Sequence, residues 1–289
     1  MDPFGIAGTG RMAQALGATL SRRGLPVAAV AGNGPEKAHL AATFVGAQRA
    51  TLICDLPLYA RHILIAVSDD AIPSVARELA SCQTKPRIVL HTAGSAGPDA
   101  LAVLRSAGSS VGVLHPLQTV PDRERGLCTL PGSSFACAGD PEATEWAEQI
   151  IRVMDGKPLL IDAQKWQTYH AAAVMACNYQ VTLVDAALEL MENAGVNRAT
   201  ALAALEPLIR TTTENILLSG PEAALTGPIR RGDSGTIRRH MTALEGASPF
   251  TRNLYSAAAL RTVPVAEHAG LPAEAVRRLT DTLEEYGAR

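Results

Sequence analysis

At 289 residues the chain is longer than most single hydrophobic cores sustain, which favours two domains. Its 47% hydrophobic and 19% charged content excludes a mainly disordered chain, and its net charge of −2 gives no electrostatic ground for a nucleic-acid or anionic-membrane partner. The five cysteines, Cys54, Cys82, Cys128, Cys137 and Cys177, are odd in number and form no CxxC pair. Neither a disulfide framework nor a zinc site is expected, and they read as small buried thiols. No apolar run reaches the ~18 residues of a membrane span, so no membrane partner is expected. The first β-like run begins almost at residue 1, which leaves no room for a signal peptide and makes the cytoplasm the expected compartment.

In chain order, short β-like runs alternate with helical patterns through the first half. Strands are expected at Phe4–Ala7, Val27–Ala31, His62–Val67, Arg87–His91, Val111–Leu114, Phe135–Ala138 and Leu159–Ile161. Helices are expected at Arg11–Arg23, stopped by Gly24, at Glu36–Phe44, started by Pro35, and at Ala71–Ala80, Asp99–Ala107 and Glu142–Met154. The runs at 62–67 and 87–91 are continuously apolar, as in strands buried on both faces of a parallel sheet. Pro3, at the lip of what should be the central strand, is tolerable only as the strand's first residue.

From about Asp162 the β-like runs stop. Residues 164–195 are rich in Ala, Val, Leu and Met, with almost no charge between His170 and Asp185. A helix apolar nearly all round must be covered on all sides, and about 125 residues can cover it only partly. It therefore reads as the central helix of a helical domain that also packs on a partner chain, giving a homodimer. Further helices are expected at about 198–219, 233–246, 249–269 and 272–286. The reading is an α/β Rossmann-like parallel-sheet domain over 1–162, followed by an all-α domain over 163–289.

The loop Gly5-Ile6-Ala7-Gly8-Thr9-Gly10-Arg11-Met12-Ala13 contains G-x-G-x-x-A between a strand and a helix. Gly8 makes the tight turn, Gly10 lets backbone approach a pyrophosphate, and Ala13 permits close helix–strand packing. The helix opening at Arg11 offers free N–H groups to phosphates. The next strand ends in Ala31-Gly32-Asn33, without the carboxylate that usually binds a ribose 2′-OH. Asn33 can donate to a 2′-phosphate and Lys37 can supply charge, which favours NADP over NAD.

Three polar loops end strands on the carboxyl edge, where such sheets bind ligands: Ser68-Asp69-Asp70, His91-Thr92-Ala93-Gly94-Ser95 and His115-Pro116-Leu117-Gln118-Thr119. Asp69 or Asp70 can equally cap the following helix, and His91 can equally be a satisfied structural histidine. In the helical half, His170, Val174 and Asn178 share one helix face at i, i+4 and i+8. Two polar side chains there need partners, structural or substrate. The break Thr226-Gly227-Pro228-Ile229-Arg230-Arg231-Gly232-Asp233, with His240 beyond it, has the inventory to hold an anionic or polar substrate, although Asp233 also suits an N-cap.

Together these residues resemble a family of NADP oxidoreductases with an N-terminal Rossmann-like domain and a C-terminal helical domain of unknown function. The strings that carry the resemblance are Gly8-Thr9-Gly10, Ala66-Val67-Ser68-Asp69-Asp70-Ala71-Ile72, His91-Thr92-Ala93-Gly94-Ser95 and Leu114-His115-Pro116-Leu117-Gln118-Thr119. They continue with Tyr169-His170-Ala171-Ala172-Ala173, Asn178-Tyr179 and the string from Thr226 to Asp233 with His240. The family is related to pyrroline-5-carboxylate reductases and the wider 6-phosphogluconate dehydrogenase-like superfamily. That kinship implies a helical dimerisation domain and an active site between domains. The chain departs from the superfamily's β-hydroxyacid dehydrogenases, whose catalytic Lys four residues before an Asn is here Val174.

On this reading the catalytic candidates are His170, His115, Asp233 and His240, with Asn178 and Arg231 for substrate. NADP would be held by Gly8, Thr9, Gly10, Arg11, Met12 and Asn33, with Ser68, Asp69, Thr92 and Gly94 from the neighbouring loops; no metal is expected. The function expected is hydride exchange with a C=O or C=N group of a small, anionic substrate. The competing reading is a non-catalytic sensor or scaffold that binds NADP(H), since fold alone does not choose between them. A prephenate dehydrogenase-like activity is a lesser alternative, suggested by the His-Pro loop and the helical second half.

Overall fold

The computed structural model describes residues 2–287. They form two compact units that divide between Ala176 and Cys177.

In the first unit, β1 (Phe4–Ala7), α1 (Arg11–Arg22), β2 (Val27–Ala31), α2 (Pro35–Val45), β3 (Ala50–Thr51), α3 (Leu56–Tyr59), β4 (His62–Ile65) and α4 (Ile72–Ser81) follow in order. Then come β5 (Ile88–His91), α5 (Ala102–Ser106), β6 (Ser110–Pro116), α6 (Arg123–Thr129), β7 (Ser134–Gly139), α7 (Pro141–Val153), β8 (Lys157–Leu160) and α8 (Trp166–Ala176). The eight strands form one sheet in the order β3-β2-β1-β4-β5-β6-β7-β8. Every expected strand is present, and β1 starts at Phe4, so Pro3 costs the ladder nothing. The short β3 and the helices α3 and α6 carry too little periodicity to be read from sequence.

Side chains alternate between two cores. Phe4, Ile6, Leu64 and Leu90 meet α1 and α7 on one face, while Ala7, Ile63, Ile65 and Val89 meet α4 and the Leu101–Leu104 segment on the other. This two-sided burial is why the central strands read as unbroken apolar runs. The sheet is not wholly parallel: β7 runs antiparallel to β6, pairing Leu114 with Cys137. The connection between them carries α6, whose Gly126 lies against Ala15 of α1 and needs the missing side chain: a Cβ there would stand 2.5 Å from Ala15 Cβ. The thiol expectation is corrected in part, because Cys82 and Cys137 are buried but Cys54 and Cys128 are exposed.

The stretch expected as one long helix is two. A turn at Cys177, with φ −113° and ψ −69°, separates α8 from α9 (Asn178–Asn193). Neither Gly nor Pro marks this turn in the sequence. Helix α8 falls within the first unit, although the change in sequence texture lies nearer Asp162.

The second unit continues with α10 (Arg198–Ala224), α11 (Gly227–Arg230), α12 (Ser234–Ala243), α13 (Pro249–His268) and α14 (Ala273–Gly287). Its core is Ile229, Ile237, Met241, Leu244, Val263, Leu271, Leu279 and Leu283, from the elements beyond α10. Glu189 of α9 is tied to the start of α13, accepting from Ser248 N at 3.0 Å and Thr251 Oγ1 at 2.5 Å. The rest of α9 and α10 is hardly covered: only Leu188 and Ala201 are buried. The run-length expectation about membranes needs correction here. An 18-residue window within residues 163–193 has a mean hydropathy of 1.3 and is little buried, so by length and composition alone that stretch is apolar enough to cross a membrane.

Because α6 and α1 touch through the missing side chain of Gly126, Gly126→Val should destabilise the first unit by about 1–3 kcal/mol. Urea unfolding would show this as a lowered midpoint at unchanged slope.

Candidate functional site

The parallel register aligns the strand ends that build the site. Ala31, Ala7, Ile65, His91 and Val113 form one row across β2, β1, β4, β5 and β6. The loops leaving Ala7, Ile65 and His91 therefore emerge side by side, and His115 lies two residues past the row.

At the first of these loops, Gly8 has φ +142°, and a Cβ on it would collide with the carbonyl of Ala66. Only glycine fits a turn that passes so close to the neighbouring strand end. Gly10 is the opposite case, exposed, with open space where a Cβ would stand. It precedes α1, whose first turn has no side-chain cap and no acidic residue. Its leading N–H groups are thus free for an anion. Gln14 steadies the loop, donating to Thr9 O at 2.8 Å, and Arg123 donates to Gln14 Oε1 at 2.7 Å.

The cleft over this loop has a volume of about 1150 Å³. Of the residues expected to hold a cofactor, Gly8, Thr9, Gly10, Arg11, Met12, Asn33 and Ser68 line it. Lys37 lines it too, beside Glu36, while Asp69, Thr92 and Gly94 do not.

Asp69 does not cap the helix after β4. Its carboxylate accepts a hydrogen bond from Ser95 Oγ and so ties the second loop to the third. His91 is fully buried and internally satisfied. Ala93 N–H donates to Nδ1 at 3.3 Å, which leaves Nε2–H to donate to Gly97 O at 3.0 Å. Burial pushes this ring down to about 4, so it is a neutral structural histidine.

His115 and His170 converge on Gly94. Their ring centroids are 5.8 Å apart, edge to face. A Cβ on Gly94 would stand 2.6 Å from His170 Nδ1 and 2.7 Å from His115 Nε2, so both rings depend on glycine there. His115 Nδ1 pairs with the Tyr169 hydroxyl at 2.8 Å. Burial, reinforced by His170, pushes His115 down to about 4 and leaves it neutral near pH 7. His170 Nδ1 is buried without a hydrogen-bond partner among the described residues. Such an atom costs about 1–3 kcal/mol unless a ligand or water completes it.

Helix α8 reaches this place by anchoring its first turn. Trp166 is buried and donates from Nε1 to Gly94 O at 2.8 Å, and Gln167 donates to Ser95 O at 2.9 Å. Trp166, Tyr169 and Gln167 were not among the sequence candidates. The i, i+3, i+4 spacing of Trp166, Tyr169 and His170 was the available signal.

The other candidates lie in the second unit. His170 and Val174 share α8, whereas Asn178 opens α9 beyond the turn at Cys177. Asp233 caps α12, accepting from Thr236 N at 2.9 Å and Thr236 Oγ1 at 2.6 Å. These bonds hold its carboxyl below the usual range. His240 pairs with the Tyr255 hydroxyl at 2.8 Å. No grouping of three or more metal-ligating side chains occurs among the described residues.

No curated protein sequence matches the chain. Among solved structures, a Bacteroides fragilis protein provisionally assigned as an NADP oxidoreductase is 23% identical, with a TM-score of 0.70 over 92% of this chain and 98% of its own. A reductive aminase from Aspergillus terreus, solved with NADPH and ethyl levulinate, is 18% identical, with a TM-score of 0.61 over 98% of this chain and 92% of its own. A 1-pyrroline-5-carboxylate reductase from Streptococcus pyogenes is 17% identical, with a TM-score of 0.57 over 99% of this chain and 98% of its own. At these identities the likeness establishes the fold. Residues 3–116 match the model of a Rossmann-like domain, and residues 133–262 match a domain of unknown function, DUF2520. The chain is thus a Rossmann-like domain joined to a DUF2520 domain.

Proposed function

We propose that the protein is an NADP(H)-dependent oxidoreductase acting on a C=O or C=N group of a small, anionic substrate. The observation that carries this reading is the pairing, within one unit, of an open glycine cradle at an uncapped helix start with two histidines converging on Gly94. The structural relatives that bind NADPH support the cofactor half.

The residues present fit a dinucleotide. Gly8, Thr9, Gly10, Arg11 and Met12 would hold the pyrophosphate, and Asn33 and Lys37 would meet a 2′-phosphate. Asn33 occupies the strand-end position where a carboxylate would select NAD. The bound cofactor would exchange a hydride with the substrate carbon. His170 is the proposed proton donor, because its buried Nδ1 lacks a partner that a substrate atom can supply. His115, being neutral, would orient the polar end of the substrate. For Arg231 we propose attraction of the substrate's anionic group. The cap made by Asp233 is a structural task and leaves its proposed catalytic part without support.

We also propose a homodimer through α8, α9 and α10. Met175, Tyr179, Val181, Leu208, Leu217 and Leu218 are all more than half exposed, and apolar side chains left uncovered in this number suit a partner copy. His170, Asn178, Gln180 and Asp185 interrupt the apolar stretch, which suits a protein partner better than a lipid one.

Three outcomes are expected. Gly10→Val should weaken NADPH binding at least about tenfold, through obstruction of the pyrophosphate, while thermal stability is unchanged because the site is open. Fluorescence titration with equal affinity in the variant would remove the cofactor assignment. The unmodified protein should bind NADPH more tightly than NADH, and Asn33→Asp should erase that preference by repelling the 2′-phosphate. Asn33 is the position to change, since a Cβ on Gly32 would stand 2.6 Å from Thr9 Cγ2 and disturb the loop itself. Light scattering at micromolar concentration should give twice the chain mass, and a monomer mass would refute the dimer.

A further inference from the structure

The two nitrogens of the His115 ring have different surroundings. Nδ1 lies 2.8 Å from the Tyr169 hydroxyl, whereas Nε2 faces Gly94 Cα beside Nδ1 of His170. A neutral imidazole carries one proton, and its place decides which edge donates. Tyr169 and His170 face the ring from α8, as does Trp166, whose ring centroid is 6.5 Å away. His91 and Asp69 act on it from the ends of β5 and β4. Burial dominates and, with the two histidines, outweighs Asp69, so the ring sits at about 4. Burial pushes Tyr169 up to about 12, and the phenol keeps its proton. A phenolic O–H is a stronger donor than a neutral imidazole N–H, and an imidazole lone pair is a stronger acceptor than a phenolic oxygen. The bond therefore runs from Tyr169 to Nδ1, and the ring proton lies on Nε2.

We infer that Tyr169 is a positioning residue that holds His115 as its Nε2–H tautomer, so that the strand-end histidine presents a neutral hydrogen-bond donor to a substrate oxygen or nitrogen above Gly94. This rests on the oxidoreductase reading and divides the labour within it. His115 polarises the acceptor atom without giving up its proton, and proton supply falls to His170. The chain lacks a lysine at Val174, and a neutral donor paired with a separate acid is an alternative to one cationic side chain.

The test is the long-range ¹H–¹⁵N spectrum of the full chain labelled at histidine, with the His115 signals assigned by their loss in His115→Gln. From about pH 5 to pH 8, Nδ1 should resonate where a lone-pair nitrogen does and Nε2 where an N–H nitrogen does. In Tyr169→Phe this pattern should be lost and the two shifts should move towards each other. A proton on Nδ1 in the unmodified protein would overturn the inference, as would an unchanged tautomer in Tyr169→Phe. A proton on Nδ1 in the unmodified spectrum overturns the inference even should the variant not fold. NADPH titration of the same sample reports separately on the oxidoreductase reading, because the tautomer needs no cofactor.

Discussion

The close passage of Gly8 past the Ala66 carbonyl is the constraint on which the rest of the first unit depends. It allows β1 to turn out of the sheet immediately beside the end of β4, held by Gly8 N–H donating to Ala31 O and Ala66 N–H donating to Ala7 O. Helix α1 can then begin over the strand ends rather than away from them. A side chain at Gly8 would push the loop outward, and the helix start would no longer overlook the cleft. The open space at Gly10 has value only because Gly8 is closed.

A second glycine organises the chemistry in the same way. Gly94 accepts the Trp166 indole N–H through its carbonyl and leaves its Cα bare to His115 and His170. One residue thus anchors α8 and makes room for the two rings that α8 and β6 bring together. Low polarity around the pair keeps His115 neutral, which separates its chemistry from that of an ordinary surface histidine. The buried Nδ1 of His170, without a partner among the described residues, is the kind of unmet polar group that folded cores rarely retain without use.

The second unit divides its apolar residues unequally. Helices α12, α13 and α14 enclose a core of their own, whereas α9 and α10 turn Val181, Leu208, Leu217 and Leu218 outward. Helix α10 also carries Pro207 within it and leaves helical geometry at Gly220, where φ is 79° and ψ is 166°. A composition that demands cover and a chain that does not provide it are the physical ground for the proposed second copy.

Period and punctuation determined much of this protein. Alternation of short apolar runs with 3.6-periodic segments specified the strands and most helices. The glycine spacing at Gly8 and Gly10 specified the loop proposed for the cofactor, because steric exclusion there acts between residues close in the chain. The histidines at 115 and 170 were legible as chemistry but not as a pair. Their meeting depends on α8 being pinned by Trp166 to a loop some 70 residues earlier, and no local pattern encodes a contact of that range. Tertiary structure alone decided that Asp69 ties two loops, that His91 is satisfied internally, and that Asp233 is spent on a cap. It also decided that the long apolar helix breaks at Cys177. Each of these turns on which donor lies within about 3 Å of which acceptor, a distance set by packing rather than by sequence spacing.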